Sequence, residues 1–236
     1  MHGAVMTALG GLIVLLFHNK FWLLAGSFSG FLVVAPVLAT SLYAMSRAME
    51  RGEKVDFGLL VRTWTQWQLR LRHEADSYWC LIRFGLLLGL AATGWVITSS
   101  GLITLMASTP VNAPIDFIHH VVLAKEGHLF ELWMGLGGML AVPMFASSVI
   151  SMPLLLDRRV SVLQAVLTSW KTVLTHPLPM GVWAGLILVL SLMGLVSMLM
   201  GLIVVMPVLG HASWHAYKDL IDVSELAERI PAEGVQ

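Results

Sequence analysis

Five long stretches of this chain contain no Asp, Glu, Lys or Arg: residues 1–19, 21–46, 84–115, 132–156 and 172–217. About 20 consecutive apolar residues carry a helix across the roughly 30 Å hydrocarbon layer of a bilayer. Each of the first four stretches can therefore hold one span, and the last, at 46 residues, holds two. The expected spans are about 3–17, 21–47, 80–106, 130–155, 178–195 and 199–217, the first of them short. Composition agrees, with 57% hydrophobic and 12% charged residues, where a soluble domain carries roughly 25% charged. A 25.8 kDa globule with a mean hydropathy of +0.81 could not enclose so much apolar surface in water. The run 3–17 has no Lys or Arg ahead of it, so it lacks the charged start of a secretory signal and reads as a retained helix.

The few charges set the orientation. Lys and Arg number 14, as do Asp and Glu, so there is no basic excess to attract nucleic acid. Arg47, Arg51, Lys54, Arg62, Arg70, Arg72 and Arg83 lie between the second and third spans. Arg158, Arg159 and Lys171 lie between the fourth and fifth, and Lys218 and Arg229 follow the sixth. Only Lys20 and Lys125 fall on the opposite side. By the positive-inside rule both termini are cytoplasmic, and the 107–129 connection is an outer, solvated loop. Residues 55–73 and 160–171 carry apolar residues at helical spacing, with Phe57, Leu60, Val61, Trp64 and Leu71 in the first and Val162, Val166 and Trp170 in the second. Both read as interfacial amphipathic helices. Residues 219–229 read as a polar, acidic helix at a solvated end, within a cytoplasmic tail 219–236.

The chain repeats itself. SGFLVVAPVLATSLYAM (29–45) aligns with MGLIVVMPVLGHASWHA (200–216) at a constant offset, with Gly30/Gly201, Val33/Val204, Val34/Val205, Pro36/Pro207, Val37/Val208 and Leu38/Leu209 identical. A weaker third copy is LAVPMFAS (140–147), and LLVRTW (59–64) matches AVLTSW (165–170). The expected fold is an all-α membrane protein of six transmembrane helices, arranged as three parallel helical-hairpin repeats (3–47, 80–155, 178–217) with interfacial amphipathic helices, in one domain over 1–218. Residue 1 aligns near Thr175, so the first unit is expected to lack its front helix.

Candidate chemistry is sparse. Pro36, Pro143 and Pro207 remove a backbone donor and bend a membrane helix; they serve packing or line a path. His211 and His215, four apart beside Trp214 and Tyr217, project from one helical face. They can tie helices together, hold a metal or ligate haem. The positions equivalent to His211 are Thr40 and Ser147, which points to hydrogen bonding as the shared theme. His119, His120 and His128 stand with Asp116, Glu126 and Glu131; such a set can bind copper or zinc, with His119 and His120 the candidate ligands, but the spacing matches no tight metal motif and reads as a solvated loop. Met193, Met198, Met200 and Met206 are too irregular for a thioether relay and read as adaptable filler. The lone Cys80 excludes an internal disulfide, and there is no phosphate loop, G-x-S-x-G or H-E-x-x-H. No charged residue lies inside the spans beyond Arg47, Arg83 and Glu131 at their ends, unlike a proton-coupled carrier.

SMPLLLDR (151–158) and GHASWHAY (210–217) resemble the marks of the bacterial predicted integral membrane protein family defined by domain of unknown function 2189, with Pro36 to Arg47 also in pattern. The resemblance implies a multi-pass inner-membrane protein without an established activity, whose relatives begin further upstream. The residues support a non-enzymatic binding or support component whose partners are the lipid bilayer and another membrane protein or a second copy. The alternatives are a small transporter or channel lined by Pro36, Thr40, Pro143, Ser147, Pro207 and His211, and a haem or copper protein using His211 and His215. No cofactor is assigned.

Overall fold

The computed structural model describes residues 2–17, 21–59, 61, 63, 79–124, 127–197 and 199–229. Their architecture is all-helical, with one isolated antiparallel bridge between Arg158 and Glu228. The helices are α1 (His2–Phe17), α2 (Phe21–Glu50), α3 (Trp79–Met106), α4 (Pro114–Phe117), α5 (Leu129–Ser148), α6 (Ser151–Asp157), α7 (Val162–Thr175), α8 (Pro177–Val196) and α9 (Leu202–Leu220). A π turn, Ile118–Val122, continues α4. Helices stand at all six places expected of spans. Length and apolarity sufficient to cross a membrane are met by three stretches among the described residues, Trp79–Met106, Leu129–Asp157 and Pro177–Val196. α9 falls outside that set because His211, Ser213, His215 and Lys218 make its second half polar.

Local chemistry explains the boundaries. Pro177 sits at the first turn of α8, where its missing N–H is no loss. The Ser161 hydroxyl accepts from Gln164 N and caps α7, which turns Val162, Ala165, Val166 and Ser169 toward the bundle while Leu163, Leu167 and Leu174 stay exposed. This is the amphipathic helix expected over 160–171. Most of its counterpart, 55–73, lies outside the described residues; at its start the Asp56 carboxylate accepts from Leu59 N, an N-cap. Past Pro143 the helix breaks at Val149 and Ile150, and the Ile150 N–H donates to Ser169 Oγ at 3.2 Å.

Two cores lie at opposite ends of the long helices. The first gathers Ala39, Tyr43 and Ala44 of α2, Leu81, Phe84 and Leu88 of α3, the leucines of α6, Ala165 of α7 and Trp214 and Tyr217 of α9. The second joins Ile103, Val111, Val121 and Leu129 with Phe21, Trp22, Phe117 and Trp133. Trp133 donates to Ser99 Oγ at 2.6 Å, and Phe117 meets it edge-on with ring centroids 5.2 Å apart. Phe84 and Ile103 of α3 belong to different cores and are separated by about 28 Å at 1.5 Å per residue. That is close to the roughly 30 Å of a hydrocarbon layer. We call the two ends the polar end and the aromatic end.

Two expectations need correction. The 107–129 connection is not all loop: α4 and the π turn occupy 114–122, with Val111 and Val121 buried, while His119 and His128 stay exposed as expected of a solvated segment. Residues 221–229 are not a helix either. α9 stops at Leu220, and the chain returns across the polar end with Val223 and Arg229 buried. Backbone donors of Arg159 and Arg229 find carbonyls at Ala227 and Asp157, so pairing between distant segments of the chain replaces helix propensity there.

Candidate functional site

All seven residues of α6 are buried, and Asp157 is 2% exposed. A carboxylate at that depth needs partners. Its Oδ2 accepts from Tyr217 Oη at 2.9 Å and from Arg158 Nε at 3.1 Å. Arg158, in turn, donates to Leu226 O at 2.9 Å and pairs with Glu228 at 3.5 Å. Arg229 N donates to Asp157 O, and the Arg229 guanidinium donates to Arg158 O at 3.2 Å. Residues 222–229 thus form a strap fastened to the end of α6. From the other side, buried Arg47 of α2 donates to Leu156 O at 3.0 Å, a cation at a helix C-terminus where the dipole favours it.

α2 and α9 lie side by side and run in the same direction, as successive contacts show. A Cβ on Gly210 would lie 2.5 Å from Leu42 Cδ1, so glycine sets their approach. One turn on, Ser46 Oγ and His211 Nδ1 are 2.6 Å apart. At the end of α2, Glu50 Oε1 accepts from Trp214 Nε1 at 2.8 Å and lies 3.6 Å from His215 Nδ1. The chemistry of this seam is hydrogen bonding between helices.

The expected site residues therefore divide. His211, His215, Trp214 and Tyr217 do come together at the polar end. Ser147 does not join them: it accepts from Trp170 Nε1 at 2.9 Å, tying α5 to α7. Thr40 is buried in α2. Pro143 lies on an exposed face of α5 and Pro207 is half-buried in α9; Pro36 lies within α2, its side chain outside the described residues. His119 and His120 are at the aromatic end on the π turn. Beside them the Asp116 carboxylate accepts from Ala113 N at 2.9 Å and Asn112 N at 3.0 Å, and these bonds hold it below the usual carboxylate range. Among the described residues no three of His, Cys, Asp and Glu converge as a metal site would require.

Asp157, Arg158, Arg47, Ser46, Glu50 and the strap were not singled out from sequence. The one available signal was the SMPLLLDR string itself, whose buried helix ends in the acid and base that organise this end.

A helical architecture with stretches long and apolar enough to cross a membrane defines an integral membrane protein. The family described as predicted integral membrane protein, domain of unknown function 2189, matches residues 23–157, more than half of the chain, and the chain belongs to it. The match runs from the start of α2 to Asp157, so the buried α6 closes the family region while GHASWHAY lies beyond it. No curated protein and no solved structure matches the chain.

Proposed function

We propose that this protein is a non-enzymatic, multi-pass component of a cytoplasmic membrane that binds or supports another membrane component. In this reading six helices span the bilayer, α1, α2, α3, α5 with α6, α8 and α9, with both termini on the cytoplasmic side. The repeat-equivalent helices α2 and α9 running side by side in one direction support parallel repeats.

One observation carries the functional reading: the polar side chains at the polar end are committed to one another. Asp157, Arg158, Tyr217, Arg47, Glu50, Trp214 and His211 each bond within the fold, which suits a scaffold better than a reaction centre. The surface left for a partner is apolar, above all α8, where Leu178, Val182, Leu188 and Val196 are exposed.

Photo-crosslinking in intact membranes tests this. A benzophenone side chain at Val182 or Val189 should give one discrete protein adduct of defined mass. Lipid adducts alone at both positions would overturn the support role.

A further inference from the structure

The segment Pro114–Leu123 has apolar side chains on two sides. Phe117 and Val121 turn into the aromatic-end core. Ile115, Ile118, Val122 and Leu123 point away from it and are 55%, 44%, 36% and 62% exposed. Around the helix Phe117, Val121, Ile118, Val122 and Ile115 follow one another as a single apolar arc of about half the circumference. Asp116, His119 and His120 occupy the opposite half, joined there by Leu123 alone among apolar residues. The arc is thus half covered by the bundle and half uncovered. A helix lying on top of the bundle in water would turn polar residues outward instead.

Its level is set by its neighbours. The segment packs at the end of α3, the start of α5 and the start of α2, among Phe21, Trp22 and Trp133. Tryptophans of this kind collect at membrane–water boundaries. Leu105 and Met106, at the adjoining end of α3, are exposed as well, so apolar side chains are uncovered on the last turn of the helix that leads into the segment.

We propose that residues 114–122 form an interfacial anchor, with Phe117 and Val121 held by the bundle and Ile115, Ile118 and Val122 inserted at the acyl-chain boundary of the surrounding lipid. Asp116 and His119 face the aqueous side. The Asp116 carboxylate, by holding the Asn112 and Ala113 amides, fixes the angle at which the helix leaves α3. Amphipathic helices bind a lipid surface in this way through half-buried apolar arcs. The inference rests on the membrane-spanning reading above.

Spin-label accessibility on the full chain, one copy per disc and free of other membrane proteins, in nanodiscs of phosphatidylcholine and phosphatidylglycerol tests it. In a Cys80→Ser background, single cysteines replace Ile115, Ile118, Val122 and His119, with Leu90 and Val182 as controls on the faces of α3 and α8; all six side chains are exposed, so labels leave the packing intact. Collision with oxygen should exceed collision with a water-soluble nickel chelate at positions 115, 118 and 122, as at 90 and 182, and the ratio should invert at 119. If 118 and 122 behave like 119 while the controls remain in lipid, the anchor is wrong and the segment is solvated. If 118 and 122 are shielded from both reagents, protein covers the arc and the lipid assignment is overturned. Exposure of the controls to the chelate would instead defeat the spanning reading.

Discussion

Removing the Tyr217 hydroxyl isolates one bond to a buried carboxylate. Both groups lie in the core, Tyr217 at 0% and Asp157 at 2% exposure, 2.9 Å apart. A hydrogen bond to a charged group contributes about 1.5–3 kcal/mol. Each kcal/mol moves the midpoint of a chain this size by about 2–4 °C, so Tyr217→Phe should lower it by about 3–12 °C. Asp157→Ala removes the other partner and leaves Arg158, 8% exposed, beside a vacated site; breaking a buried pair this way costs about 3–5 kcal/mol. Adding Tyr217→Phe to Asp157→Ala should then cost little more, because the bond is already gone, and the coupling should approach the whole contribution of that bond, about 1.5–3 kcal/mol. The assay is a thermal melt in nanodiscs at one lipid composition, followed by near-ultraviolet dichroism. Additive shifts, or a Tyr217→Phe midpoint within about 1 °C of the parent, would refute the assignment of this pair as a structural tie, since distant independent sites add.

Further outcomes follow from the same contacts. Deleting residues 222–236 should speed hydrogen exchange at the Arg159 amide, which donates to Ala227 O, while amides in the middle of α3 stay protected; no change there means the strap does not close the polar end. Gly210→Ala should destabilise by about 1–3 kcal/mol through overpacking against Leu42, and Leu42→Val should recover part of that loss in the double variant. Ser169→Ala strips the acceptor from the Ile150 N–H and should cost about 1–3 kcal/mol, the penalty of an unsatisfied buried donor, read in the same melts. The Asp116 carboxylate titrates below its unfolded value, so it stabilises the aromatic end above the unfolded pKa and that contribution disappears as pH falls through the folded one. The parent should loosen around Phe117 on acidification, and Asp116→Asn should lose this acid limb.

The long helices were legible because lipid imposes a coarse rule. Absence of charge over 20 residues located α3, α5 together with α6, and α8 within a residue or two, and α2 and α9 within three. The histidine pair was legible as a feature of one helical face but not as half of a seam, since its partners Ser46 and Glu50 lie more than 160 positions away. Asp157 and Arg158 were hidden for another reason. Adjacent opposite charges at the end of an apolar run look like the start of a loop, and only the return of the strap buries them. α4 and its π turn were lost behind Pro110 and Pro114, because their nine residues are too few for a periodicity to stand out from turn chemistry. Most bonds of the strap go to backbone carbonyls, and these have no side-chain signature.

The most direct test of the account is which ends of the helices share a side. In the Cys80→Ser background, single cysteines at Glu53, His119, Lys171 and Ser224 are offered a membrane-impermeant maleimide in intact cells. Labelling at 119 alone, with 53, 171 and 224 reached only after the membrane is opened, is the expected result. Labelling of 119 and 224 from the same side would contradict the six-span reading and the cytoplasmic position of the strap.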